Sequence, residues 1–105
     1  MKIKLKIISF IVLNSLALSG TTGKLVGKIT DKDTGDPLIG CNVIIEDTYM
    51  GTSSNELGEY ILLNISPGNY KVRFEMIGYK RVINDGVAII SDKTITLNGE
   101  LVSSV

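Results

Sequence analysis

From Tyr70 to Met76 apolar and charged side chains alternate without a break. Tyr70, Val72, Phe74 and Met76 fall on one side, and Lys71, Arg73 and Glu75 on the other. A strand sends successive side chains to opposite faces, so this segment is a half-buried antiparallel strand with a core face and a charged solvent face. No 3.6-residue period competes with this pattern after Gly23. Leu25, Gly27 and Ile29 alternate with Val26, Lys28 and Thr30 to give a first strand. Residues 41–46 give a second, with Cys41, Val43 and Ile45 inward, and Thr52 to Ser54 is a short polar strand. Tyr60 to Ile65, Tyr79 to Ile83, Val87 to Ile90 and Thr94 to Leu97 follow. Turn signals separate them at Asp31 to Asp36, Met50-Gly51, Asn55 to Gly58, Ser66 to Asn69, Asp85-Gly86 and Ser91-Asp92. Short strands punctuated this often predict an all-β, antiparallel sandwich over residues 24–98, with residues 99–105 as a tail. Its open edges are expected at Thr52 to Ser54 and at Thr94 to Leu97.

The chain begins differently. Lys2, Lys4 and Lys6 precede a nearly continuous apolar run from Ile7 to Leu18, and Ala17 and Ser19 supply the small residues of a cleavage site before Gly20. That order is a secretory signal, so residues 1–19 read as a signal-peptide helix cut between Ser19 and Gly20. An uncleaved anchor would need about 20 apolar residues, and this run is shorter and broken by Asn14. Cleavage removes three of the eleven basic residues and none of the eleven acidic ones, leaving a net charge of −3. A mildly acidic surface offers no attraction to phosphate backbones, which argues against a nucleic-acid partner. Cys41 is the only cysteine, has no partner within the chain and sits among apolar strand residues, where a thiol serves as a small hydrophobe.

Candidate chemistry is sparse. There is no histidine, which removes the commonest general base and zinc ligand. Ser53, Ser54, Ser66 and Ser91 have no base to activate them. Asp31, Asp33 and Asp36 suggest a calcium loop, but Gly35 and Asp36 are reversed relative to an EF-hand and Asn42 stands at the twelfth position. They read as a solvated turn. Glu56 and Glu59 flank another turn with nothing to hold them at a catalytic separation. An isopeptide link between Lys28 and Asn98 is disfavoured because Lys28 alternates outward from Gly27 and Ile29. The expectation is a non-enzyme with no metal and no cofactor.

The turns also occur in a recognisable order. Val26 to Asp31 is followed by Thr34-Gly35-Asp36-Pro37-Leu38-Ile39-Gly40-Cys41-Asn42-Val43, then by Gly51-Thr52 with Asn55, Gly58 and Tyr60. Pro67-Gly68 with Tyr70, and Ile77-Gly78-Tyr79, complete the series. This pattern resembles the carboxypeptidase regulatory-like domain family over roughly Lys24 to Leu97. The structural motif residues are Gly27, Gly35, Pro37, Gly40, Gly58, Pro67, Gly68, Tyr70, Gly78 and Tyr79. Cys41, Asn55 and Tyr60 stand where Ala, Asp and Phe are commoner. The resemblance implies a seven-stranded, transthyretin-like (prealbumin-like) Greek-key sandwich of Ig-like type. It further implies a non-catalytic accessory domain at the periplasmic N-terminus of a TonB-dependent outer-membrane uptake receptor, or a free-standing relative. Such a domain is exported to the periplasm or outer membrane of a Gram-negative bacterium, contacts protein partners and reaches the membrane only through an attached receptor. Contact is expected through the C-terminal edge. The alternative is a carbohydrate- or peptide-binding module, but the chain has no Trp, and Tyr60, Tyr70 and Phe74 read as core. Tyr49 is the one aromatic left for a sugar.

Overall fold

The computed structural model describes residues 21–105; the expected signal helix and its Ser19–Gly20 cleavage point lie outside them. Every regular element among the described residues is a strand. In chain order they are β1 (Gly23–Asp31), β2 (Asn42–Ile45), β3 (Gly51–Ser53), β4 (Glu59–Ile65), β5 (Gly68–Glu75), β6 (Val82–Ile89), β7 (Thr94–Thr96) and β8 (Gly99–Leu101). One sheet runs β4-β1-β7, with β8 also on β1, and the other runs β3-β2-β5-β6. The two inner faces enclose a core in which Leu25, Ile29, Cys41, Val43, Ile45, Val72, Phe74 and Leu101 are wholly buried. Phe74 meets Tyr60 edge to face across the sheets, with ring centroids 5.9 Å apart at 62°.

The sandwich departs from the expected seven antiparallel strands in three ways. Tyr79 to Ile83 and Val87 to Ile90 do not form separate strands, because Asp85-Gly86 does not turn the chain back. β6 runs through that point with one extra residue against β5, pairing Tyr70 with Val87 and Val72 with Asn84. Gly86 takes φ +66°, open to a residue without Cβ, and the insertion makes a bulge. The bulge re-phases the strand so that Val87 and Ile89 point inward while Ile83 points out.

The supposed tail is the second departure. Gly99–Leu101 pairs with Ile29–Asp31, and Leu101 is wholly buried. Gly99–Leu101 is too short to show a period, and its two buried residues, Gly99 and Leu101, face the core. Third, β7 and β8 both run parallel to β1. Parallel neighbours need a long crossover, and here all of β2–β6 supplies it.

A second bulge lies in β4. The register passes from Leu25–Leu62 to Gly23–Ile65, and Asn64 adopts φ +60°, which Asn tolerates better than most residues. Strict alternation would have turned Asn64 inward. The bulge exposes it and buries Ile65 instead. On the outer face of β5, Arg73 lies down between Glu46 (3.4 Å) and Glu75 (3.2 Å), and Arg81 reaches Glu75 at 2.6 Å.

Candidate functional site: polar joints and a groove along β4

β7 and β8 keep one register on β1 and behave as a single strand interrupted at Leu97-Asn98. At the interruption the Asn98 side-chain Oδ1 replaces a main-chain acceptor, taking the Lys28 N–H at 2.9 Å. The Leu97 carbonyl is turned inward and accepts from the Tyr60 hydroxyl at 2.6 Å. This needs Gly27 beside it, since a Cβ there would lie 1.9 Å from the Leu97 oxygen and 2.7 Å from the Tyr60 ring. Burial raises the Tyr60 phenol well above its ordinary pKa, with Cys41 adding to the shift, so Tyr60 is a donor rather than an acid. Gly27 and Tyr60 belong to the sequence motif; the role of Asn98 was not legible, because its partner lies seventy residues away. The Lys28 side chain is exposed, and it is its main chain that meets Asn98.

A second joint closes the far end. Asp31 Oδ1 accepts from the N–H groups of Asp33 (2.8 Å) and Thr34 (3.1 Å), while Oδ2 accepts from the Tyr79 hydroxyl at 2.7 Å. The Tyr79 bond and then the two amides lower the Asp31 pKa, and the same bond raises that of Tyr79. Asp33 and Asp36 stay exposed beside this turn. The C-terminal residues are tied in at the same end: Lys32 N–H donates to Leu101, Lys80 N–H to Val102 and Ser104 N–H to Gly78.

The other polar candidates also hold main chain. Asn55 Oδ1 accepts from Leu57 and Glu59, each at 3.0 Å, and the Asn55 N–H donates to the Glu59 carbonyl. Ser54, at the end of the expected polar strand, is buried; it donates to Leu38 at 2.5 Å and accepts from the Cys41 N–H at 2.9 Å. Burial pushes the Cys41 thiol up to about 11, which leaves it protonated and unreactive. Among the motif residues, Gly35, Gly40, Gly58 and Gly78 take φ of 79°, 79°, 77° and 89°. Pro37 bridges to Thr30, and Pro67 precedes Gly68, which opens β5. Tyr70 is half-buried rather than core, and its hydroxyl donates to Ser66 at 2.7 Å. Glu56 and Glu59 are exposed and converge on nothing; Tyr49 is fully exposed at the β2–β3 tip.

An open groove of about 750 Å³ runs beside β4, lined by Val26, Gly27 and Lys28, by Glu59, Tyr60 and Ile61, and by Thr52, Ser53, Asn55 and Asn98. Its only aromatic, Tyr60, is buried and engaged with Leu97. The edges expected at β3 and β7 are present, but β4 and β6 are outer strands as well. The residues expected to form a tail are fastened, Gly99–Leu101 to β1 and Val102 and Ser104 to Lys80 and Gly78.

Comparison with known proteins agrees with this architecture. The chain superposes on a type II cohesin–X-dockerin complex structure from Acetivibrio cellulolyticus with a TM-score of 0.64 and 20% identity, covering 76% of this chain and 53% of that one. A crystal structure described as a putative carbohydrate binding protein from Bacteroides uniformis gives 0.60 at 21% identity, covering 80% and 43%. BcpA, the major pilin subunit of Bacillus cereus, gives 0.61 at 19% identity, covering 80% and 31%. At these identities the likeness is one of fold, and the chain spans about half or less of each. No curated protein matches it. The family model for the CarboxypepD_reg-like domain matches residues 25–105, and the chain belongs to that family.

Proposed function

We propose that the chain is an exported, non-catalytic module that acts by contacting other proteins. We place it in the cell envelope of a Gram-negative bacterium, as an N-terminal accessory domain of a TonB-dependent outer-membrane receptor or a free-standing relative. The observation that carries the non-catalytic reading is the use made of its reactive groups. Asp31, Ser54, Asn55, Tyr60 and Asn98 each hold a main-chain group in place, and burial keeps the Cys41 thiol protonated. These groups stiffen the scaffold and do not converge on a common point. The signal-like N-terminus supports export, and family membership supports an accessory role.

Photo-crosslinking residues placed at Tyr49 and Ile77, both fully exposed, should capture an envelope protein in cells. Tips that capture no protein would count against the reading. A carbohydrate-binding reading is favoured only by Tyr49 and by the Bacteroides uniformis neighbour. Saturable oligosaccharide shifts centred on Tyr49 would promote it over the protein-contact reading.

A further inference from the structure

The two sides of β1 reveal where β4 is unpaired. Lys24, Val26 and Lys28 direct main-chain groups toward the C-terminal strands, bonding to Lys93, Leu97 and Asn98. Leu25, Gly27 and Ile29 therefore face β4, as the bond from the Ile29 N–H to the Gly58 carbonyl requires. Alternation in an antiparallel ladder then turns the N–H and C=O of Glu59, Ile61 and Leu63 outward. Asn55 takes both groups of Glu59. Among the described residues, two N–H and two C=O groups remain without a partner, on Ile61 and Leu63. Both side chains are half exposed, at 50% and 52%, and Val26 sits directly beside Ile61. Edge strands are usually blunted by Lys, Pro or a bulge; residues 60–63 hold no Lys or Pro, and the β4 bulge falls at the far end of this stretch, between Leu62 and Ile65, with its left-handed residue at Asn64.

We infer that β4 is a self-pairing edge that joins two copies of this chain through an antiparallel contact about a two-fold axis at Leu62. In that register Ile61 of each copy faces Leu63 of the other. Each facing pair exchanges two main-chain hydrogen bonds, so every unpaired group of both edges is satisfied. Val26, Ile61 and Leu63 of the two copies then form one apolar strip across the joined sheets. The fit of the edge to itself, in length, spacing and side-chain chemistry, selects a second copy over an unrelated strand. Charge permits the pairing. Glu59 is the one charge on β4, and the two Glu59 residues lie roughly 20 Å apart along the joined strands. So short a contact falls below the about 800 Å² per partner of a standard interface, which makes the dimer weak and concentration-dependent.

This inference does not depend on the proposed function, and either can fail alone. The test is sedimentation of the purified chain from about 10 μM to about 1 mM, a range that brackets weak association. The mean mass should rise toward twice the monomer value. NMR amide exchange over the same series should show Ile61 and Leu63 gaining protection with concentration. Ile61→Lys and Leu63→Lys should each hold the mass at monomer with unchanged circular dichroism. Ile83→Lys, at an equally exposed site on the other sheet (51%), should leave the rise intact. A chain that stays monomeric throughout, or a dimer that survives both β4 variants, overturns the inference. So does protection of β4 only when a different protein is added.

Discussion

β4 and the β7–β8 pair flank the same strand, β1, yet they treat their outer sides differently. β4 is regular and apolar from Tyr60 to Leu63, ahead of its bulge at Asn64, and among the described residues nothing pairs with the outward main chain of Ile61 and Leu63. β7–β8 is broken at Leu97-Asn98, and the residues just past β8 are fastened on their outer side, with Lys80 N–H donating to Val102 and Ser104 N–H to Gly78. The broken strand is held because its irregularity is filled by specific groups, namely Gly27, Tyr60 and Asn98. The regular stretch of β4 from Tyr60 to Leu63 is left open because it needs no such partners. Strand quality and edge protection are thus separate properties.

The largest expected effect lies in the core shared by both strands. Phe74 is wholly buried against Tyr60 and against Gly99 at the start of β8. Phe74→Ala should cost about 3–5 kcal/mol in a denaturant titration, enough to threaten a domain of this size. Gly27→Ala sets a Cβ against the Leu97 main chain, which a rotamer change cannot relieve, and should cost about 1–3 kcal/mol. Its effect should appear first as lost protection in β7–β8, with β4 little changed. Tyr60→Phe leaves the inward Leu97 carbonyl without its donor and should cost about 1–3 kcal/mol. If Tyr60→Phe is neutral, the joint does not hold the C-terminal strand.

Smaller effects sharpen the contrast. The Asp31 carboxyl has a folded pKa below its unfolded one, so its contribution is present above the unfolded value and is lost as pH falls through the folded value. Tyr79→Phe removes the main cause of that depression. Acid titration of the variant should show a weaker fall in stability over that window than the parent does. Arg73→Ala should cost only about 1 kcal/mol by chemical denaturation, from ion pairs that remain partly solvated.

How much of this is readable in advance depends on the range of the interaction. Val72 and Phe74 are legible because alternation is a property of adjacent residues. The Asn55 turn is legible for the same reason, since its side chain serves residues two and four positions on. Asp85-Gly86 misleads because positive φ at Gly86 serves a bulge as readily as a turn, and only the partner strand decides between them. β8 is hidden because three residues carry no period. The Leu97-Asn98 joint is hidden because it is made with Gly27, Lys28 and Tyr60, which are remote in sequence. The same distance explains why residues 99–105 read as a tail when they are tied to β1, Gly78 and Lys80.

Residue-resolved amide exchange in dilute solution separates the open main chain of β4 from the fastened C-terminal segment. Exchange should be fast at Ile61 and Leu63, with protection at Lys32, Leu97, Lys80 and Ser104, whose N–H groups are donors. Protection at Ile61 and Leu63 in the dilute monomer, with rapid exchange at the other four, would contradict it.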